Sequence, residues 1–366
     1  MGKNIIILGA TDTHPERLAK LPKFLSVFCK VAEHVTLLSS VCPDEFIGQV
    51  EWIKVESCAV TSHSSLNRIY NFFAIQIRLT RCLFLYGRSD QRLVALRRYI
   101  LPGLVARLLG MKPIRYHAGP SFRASSSGIN NRIAEFIVNR AYSKIAVPSH
   151  GCIEQFGLEK YKEKIVFGPF PVESLFFQKN RGDVKRKFTL GYFGNLTFGN
   201  EGVRAVDSLI EGFRKLRNHD SRLTLVLGGV GPVSKCLSED SAEGIMMTGW
   251  LSHEQVCNWL DRIKLLVLPS IDEGLATILL QAMARKTPVL ATPVGGSLDL
   301  IKDEETGFVI GNTHPDCISA NIQRALSHPD LKQIAENGRN LVEQQYSFSS
   351  VVKRWRQILD VKHGKD

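Results

Sequence analysis

Short apolar runs alternate with stretches of helical periodicity along nearly the whole chain. In the first half, strands are expected at Asn4–Leu8, Val35–Leu38, Val50–Val55, Cys82–Tyr86, Lys112–His117, Lys144–Pro148 and Lys164–Val166. Helices are expected at Pro15–Ala32, Leu66–Ile77, Val94–Leu109 and Ile129–Ala141, with Pro102 breaking or kinking the third. After Gly168-Pro169-Phe170-Pro171 and a charged run the alternation restarts. Strands are expected at Thr189–Phe193, Leu223–Leu227, Leu265–Leu268 and Pro288–Ala291. The intervening helices run over Val203–Leu216 and Glu254–Arg262, the latter opened by a Ser252/Gln255 capping box. Two helices (Pro315–Leu326, Pro329–Gln345) and an amphipathic segment (Ser349–Val361) close the chain. Strand–helix alternation in two blocks predicts an α/β protein of two doubly wound Rossmann-like domains facing a central cleft. The expected boundaries are 1–170, 171–346, and a C-terminal helix over 347–366 that packs back toward the first domain.

Composition narrows the class. The 366 residues exceed the usual size of one core. No window reaches eighteen uninterrupted apolar residues, and Leu93–Met111 carries Arg97, Arg98 and Arg107. The N-terminal apolar run is too short for a signal-peptide core. Eight cysteines lie scattered without a Cys-x-x-Cys pair, which argues against a disulfide framework or a zinc site. These features predict a cytoplasmic protein, peripheral on the cytoplasmic face of the membrane.

Charge is asymmetric. Residues 1–170 hold 23 Lys and Arg against 12 Asp and Glu, a net of +11; the remainder nets +1. Between Arg68 and Arg123 Asp90 is the one acid among eleven basic residues. The stretch is either a solvated basic face or a surface for anionic lipid or a phosphate-bearing acceptor. No nucleic-acid recognition motif accompanies it, so nucleic acid is set aside.

Candidate chemistry concentrates in residues 265–310. A strand ends at Pro269-Ser270, an acidic turn carries Asp272, Glu273 and Gly274, a helix follows, and a second strand leads into Gly295-Gly296. Such turns lie at the carboxyl edge of the sheet, where ligands bind. A helix starting near Gly274 would turn its free N–H groups toward the cleft. Glu273 is then either a hydrogen-bond acceptor for a ligand hydroxyl or an N-cap carboxylate. His117 is a cleft group or a satisfied structural histidine. Gln281 is a ligand contact or a surface glutamine. The first strand's turn lacks G-x-G-x-x-G, so no dinucleotide site is expected.

These motifs resemble the GT-B glycosyltransferases, most closely glycosyltransferase family 4, whose members retain anomeric configuration. The similarity rests on Glu273-Gly-Leu-Ala-Thr-Ile-Leu-Leu-Gln281 (the family's E-x7-E with Gln at the second acid), the Gly229–Pro232 turn, Thr248-Gly249-Trp250, Gly295-Gly296, and Tyr116-His117-Ala118-Gly119. The resemblance implies transfer of a sugar from a nucleotide-sugar donor to a glycan, lipid-linked or phosphate-bearing acceptor. It implies Glu273 and His117 at the transferred sugar and Gln281 at the ribose. Gly194, Asn195, Gly229, Gly231, Lys264, Gly274, Leu275, Ala276 and Thr11 complete the expected substrate-binding set. No Asp-x-Asp motif is present, and the family needs no metal or other cofactor.

Three departures stand out. The family's arginine after the strand-end glycine is Asn195 here, and its lysine falls at Asn200 or Glu201. Losing two phosphate contacts would cost about 3–6 kcal/mol at roughly 1.5–3 each. Gln281 lacks the charge of glutamate, and Lys286 replaces a glycine where a left-handed residue would cost roughly 1–2 kcal/mol. These departures leave open a polyprenyl-phosphate-sugar donor, or a catalytically weak relative serving as a binding or partner subunit. A nucleotide-sugar epimerase on the same architecture is a further alternative.

Overall fold

The computed structural model describes residues 4–9, 20–56, 65–97, 99–117, 136–178, 186–198, 204–233 and 244–360. Thr11, Ala118-Gly119 and Asn200–Gly202 lie outside them. The first sheet contains β1 (Asn4–Leu8), β2 (His34–Ser39), β3 (Glu51–Lys54), β4 (Arg92–Ala95), β5 (Ile114–Tyr116), β6 (Lys144–Val147) and β7 (Ile165–Phe167). Its order is β3-β2-β1-β4-β5-β6-β7, with every pair parallel. The second contains β8 (Phe188–Phe193), β9 (Leu225–Gly228), β10 (Ile245–Gly249), β11 (Ile263–Leu268), β12 (Val289–Ala291) and β13 (Phe308–Val309). Its order, β10-β9-β8-β11-β12-β13, is again parallel.

Alternation along β1 shows why helices cover both faces. Ile5 and Ile7 pack with Phe24 and Phe28 of α1 (Leu21–Val31). Ile6 and Leu8 point the other way, toward Leu79 and Leu83 of α2 (Ser65–Tyr86) and Ala106 of α3 (Ile100–Leu108). Both domains are therefore doubly wound and Rossmann-like.

Two expected elements are corrected. Cys82–Tyr86 is the last turn of α2, not a strand: Leu79 and Leu83 are buried at helical spacing while Phe84, Leu85 and Tyr86 face solvent. Val94–Leu109 divides into β4 and α3. Pro102 sits in the first turn of α3, where its missing N–H has no intrahelical partner to lose, so it neither breaks nor kinks the helix.

The first domain also contains the short α4 (Cys152–Gln155) between β6 and β7, and the second contains α5 (Val206–Arg217), α6 (His253–Arg262), α7 (Thr277–Ala284), α8 (Ser297–Leu300), α9 (Pro315–Ser327) and α10 (Leu331–Tyr346). The Ser252/Gln255 capping box at α6 is formed in both directions. Lys286 has φ +56°, the left-handed geometry glycine would accept without strain. Arg186 holds that corner by donating to the Lys286 carbonyl at 2.9 Å.

The last helix, α11 (Phe348–Ile358), lies on α1 of the first domain. Trp355 packs edge-on to Phe28 at 4.9 Å, and its indole N–H donates to the Pro169 carbonyl at 2.9 Å. A Cβ on Gly168 would stand 2.9 Å from the Trp355 ring, so the chain crosses between sheets where only glycine leaves room. Among the described residues no helix is long and apolar enough to cross a membrane.

Candidate active site

Strand order reverses between β1 and β4 in the first sheet and between β8 and β11 in the second. Such switch points open crevices at the carboxyl ends of the strands. Here one cavity of about 340 Å³ draws on both: Lys20 and Lys23 come from the start of α1, and Gly194, Gly229, Trp250 and Gln281 from the second domain.

The two glycine turns form one wall. Gly194 N–H donates to Gly228 O at 2.9 Å, and Leu196 N–H to Val230 O at 3.0 Å. Gly229 has φ +133°, and a Cβ there would overlap the Gly194 carbonyl oxygen. The turns can touch only because Gly229 lacks a side chain. Asn195 also lines the cavity; its carbonyl accepts from the Tyr192 hydroxyl at 2.7 Å. Gly231 is one step back, packed on the Leu196 carbonyl.

The opposite wall is α7. It starts at Thr277, three residues later than the sequence suggests, with Ala276 as N-cap and no side-chain cap. Glu273 is therefore not an N-cap. Leu275 and Ala276 are buried packing residues, and Thr277 and Ile278 line the cavity in their place. Gln281, one turn further along, is 5% exposed and lines the cavity, so it is not a surface glutamine.

Glu273 forms an ion pair with Arg204. Arg204 lies in the bridge that pairs it with Ser270, just before α5. Its Nη1 stands 3.5 Å from where a Cβ on Gly194 would be. Arg204 Nε and Nη1 are buried without a hydrogen-bond partner among the described residues. A cation thus stands beside the glycine wall, which the Asn195–Gly202 motif did not reveal. Arg204 is the sole Lys or Arg between Gly194 and Phe213. The signal was its position at the start of the helix rather than in the glycine turn.

Electrostatics follow from burial. Burial lowers the pKa of Lys20, and the Glu273 carboxylate pulls it partly back. Burial pushes the Tyr192 phenol up to about 12, opposed by the nearby Arg204 guanidinium. Lys23 pairs with Glu173 at 2.7 Å, and both lysines lie over the Phe170 ring, at 5.2 and 5.6 Å.

Two expected residues stand elsewhere. Lys264 is exposed near the amino end of β11, in register with the start of β8 rather than Gly194. Five residues of strand, roughly 16 Å at about 3.3 Å each, separate it from that turn. His117, at the end of β5, stacks on Phe156 with ring centres 4.5 Å apart, while its N–H donates to Ala146 O at 2.8 Å.

His117 is nevertheless tied to the cleft through the segment beneath Phe156. The Asp299 carboxylate of α8 accepts from Ser149 Oγ at 2.8 Å, from Gly151 N–H at 3.1 Å and from His150 N–H. Cys152 Sγ donates to Gly274 O at 3.3 Å, and Gln155 to Asp272. Burial pushes the Cys152 thiol up to about 12, consistent with a packed, protonated donor. Gly295, φ +51°, sits where a Cβ would overlap the Glu273 carbonyl oxygen. The glycine turn before α8 therefore helps fix Glu273 and dock the two domains.

Residues 179–341 match the family of glycosyl transferases group 1. The chain as a whole has the GT-B fold. It superposes on the crystal structure of Anabaena Alr3699/HepE in complex with UDP and glucose with a TM-score of 0.75 at 13% identity, covering 99% of this chain and 100% of that one. It also matches WaaG, a glycosyltransferase involved in lipopolysaccharide biosynthesis, with a TM-score of 0.68 at 16% identity over 98% and 100% of the two chains. By sequence, it is 30% identical over 153 residues to the alpha-D-kanosaminyltransferase of Streptomyces kanamyceticus, 40% of each chain. The gpi3 subunit of the Schizosaccharomyces pombe phosphatidylinositol N-acetylglucosaminyltransferase is 25% identical over 270 residues, 70% of this chain and 57% of that protein. The chain spans about half the length of the curated relatives it matches. Placed on the group 1 glycosyltransferase segment, the glycine turns, Arg204, Glu273 and Gln281 all fall within the matched residues.

Proposed function

We propose that this chain is a glycosyltransferase that moves a sugar from a nucleotide-sugar donor to a glycan or lipid-linked acceptor with retention of configuration. The observation that carries the reading is the two-domain cavity where Lys20 faces the glycine wall and Gln281, with the Arg204 guanidinium standing behind that wall at Gly194 and paired with Glu273. In this reading the nucleoside lies along Gly229, Trp250 and Gln281, with the Gln281 amide on the ribose diol. Backbone N–H groups of the glycine turns, Arg204 and Lys20 receive the diphosphate, and Glu273 accepts hydrogen bonds from sugar hydroxyls. The acceptor attacks on the face from which the phosphate departs. The leaving phosphate takes the acceptor's proton while the cations hold its growing charge, with no metal needed. His117 would flank the sugar after rearrangement of its stack on Phe156.

Arg204 bears on the alternatives. A polyprenyl-phosphate donor and a weakened binding relative both drew support from an apparently absent cationic pair. With Lys20 and Lys23 lining the cavity and Arg204 beside Gly194, a diphosphate donor is the better fit. The presence of UDP in the HepE crystal makes uridine nucleotides the first donors to test. The test is incubation with a panel of nucleotide sugars and glycan acceptors, following nucleoside diphosphate release and the anomeric configuration of the product by NMR. Product with the donor's configuration is expected. Inversion would overturn retention, and epimerised or merely hydrolysed donor would overturn transfer.

A further inference from the structure

The helices on one face of the first sheet expose apolar side chains that no other part of the described chain covers. On α2, Phe84 and Leu85 face solvent beside Arg81, and on α3, Leu104 and Leu108 face solvent beside Arg107. Leu85 and Leu108 are 78% and 85% exposed, the values of side chains standing clear of the surface.

The two helix ends are neighbours. A Cβ on Gly87, just past α2, would lie 3.4 Å from Leu109 just past α3, and one on Gly110 would lie 3.3 Å from Ser89. The next helical stretch, 136–141, joins the same surface: Arg107 donates to the Arg140 carbonyl at 2.8 Å, and Arg140 lies 4.6 Å over the half-exposed Phe136 ring. Scattered exposed apolar residues are ordinary, but contiguous ones mark an interaction surface.

Charge selects the occupant. Neither α2 nor α3 contains an Asp or Glu, while Arg81, Arg107 and Arg140 are exposed among the apolar side chains. A second copy would bring these cations against one another. An anionic bilayer would instead receive the leucines and phenylalanines below its headgroups, with the arginines at phosphate level. We propose that this three-helix face docks on an anionic lipid surface. It is the ends of two packed helices, rather than a single amphipathic helix over 94–109, that present the apolar tip. The proposal does not depend on sugar transfer.

Flotation of the full chain with vesicles of phosphatidylcholine containing 30% phosphatidylglycerol, against phosphatidylcholine alone, tests it. At least tenfold stronger partitioning onto the anionic vesicles is expected. Leu85→Ser with Leu108→Ser should lower it at least tenfold, and each of Arg81→Ser and Arg107→Ser about fivefold. Nucleotide binding by the same samples should be unchanged, which keeps this test apart from that of the donor site. Failure to float with either vesicle, or unchanged flotation of the double leucine variant, overturns the proposal. Light scattering that shows a dimer dissolved by the leucine substitutions, without lipid binding, assigns the face to a second copy and also overturns it.

Discussion

The Arg204 guanidinium and the Glu273 carboxylate are paired across the crevice between β8 and β11, both largely withdrawn from solvent. Sequence positions 69 residues apart thus meet at the one place where the second sheet reverses its strand order. Each group satisfies part of the other's charge in the free protein. In the proposed complex a donor diphosphate would share Arg204 with Glu273, through the Nε and Nη1 donors that are buried without a geometric hydrogen-bond partner among the described residues.

Arg204→Ala should weaken nucleoside diphosphate binding about 10- to 100-fold, the equivalent of one charge-assisted hydrogen bond worth roughly 1.5–3 kcal/mol. Glu273→Gln should leave nucleoside diphosphate affinity equal or several-fold higher, because it removes a competing carboxylate. The same variant should lose sugar transfer by at least about a hundredfold, on the order of one electrostatic contact of the transition state. Titration calorimetry and initial rates separate the two effects; equal losses in binding and rate for both variants would contradict the division of roles.

Gln281 is buried at the cavity wall, and its amide is the group assigned to the ribose. Gln281→Ala should cost about five- to tenfold in affinity for a ribonucleotide, near 1 kcal/mol for a neutral hydrogen bond. It should cost nothing for the 2′,3′-dideoxy analogue. A loss of similar size for both nucleotides would place Gln281 in packing rather than in recognition.

The strands that carry the site were legible because they are buried on both faces and read as continuous apolar runs, as in Asn4–Leu8 and Leu265–Leu268. The α2 terminus was not: Cys82–Tyr86 is equally apolar, but Phe84 and Leu85 are exposed, so hydrophobicity there reports a surface and not a core. Glu273 and Gln281 were visible through their fixed spacing around one turn and one helix. Arg204 and Lys20 were hidden because neither falls within a motif of regular spacing. Arg204 stands ten positions after Gly194 in the sequence, and Lys20 reaches the cavity from the other domain. Asp299 was hidden because its partners lie about 150 residues away.

Binding of a nucleoside diphosphate beside Lys20 would be pH-linked. Burial lowers its pKa in the free protein, so the folded chain holds fewer protons than the unfolded chain between that lowered value and 10.5. Stability from this group therefore rises with pH across that window. A bound diphosphate would raise the Lys20 pKa again. Binding should take up a proton in the window, and affinity should fall as pH rises through it. Calorimetry in buffers of different ionisation enthalpy reads the uptake, and Lys20→Met should abolish it.

Lys286 holds a left-handed backbone at the corner after α7. The strain of about 1–2 kcal/mol is partly offset in a glycine variant by about 0.5–1 kcal/mol of added unfolded-state entropy. The exposed pair with Glu336 adds little. Lys286→Gly should raise the thermal midpoint by about 1–3 °C, from a gain of about 0.5–1 kcal/mol. A lowered midpoint would show that the surrounding contacts, not the backbone, set the stability of this corner.

The proposed donor site places a nucleotide-sugar diphosphate in the cavity between the switch points, with its charge next to Arg204 behind the glycine wall. Its most direct test is titration calorimetry of the full chain with a panel of nucleoside diphosphates and nucleotide sugars, repeated with Arg204→Ala. Saturable one-to-one binding of at least one nucleotide is expected, weakened about 10- to 100-fold in the variant. Absence of binding by every nucleotide, or binding that is unchanged when Arg204 is removed, would contradict it.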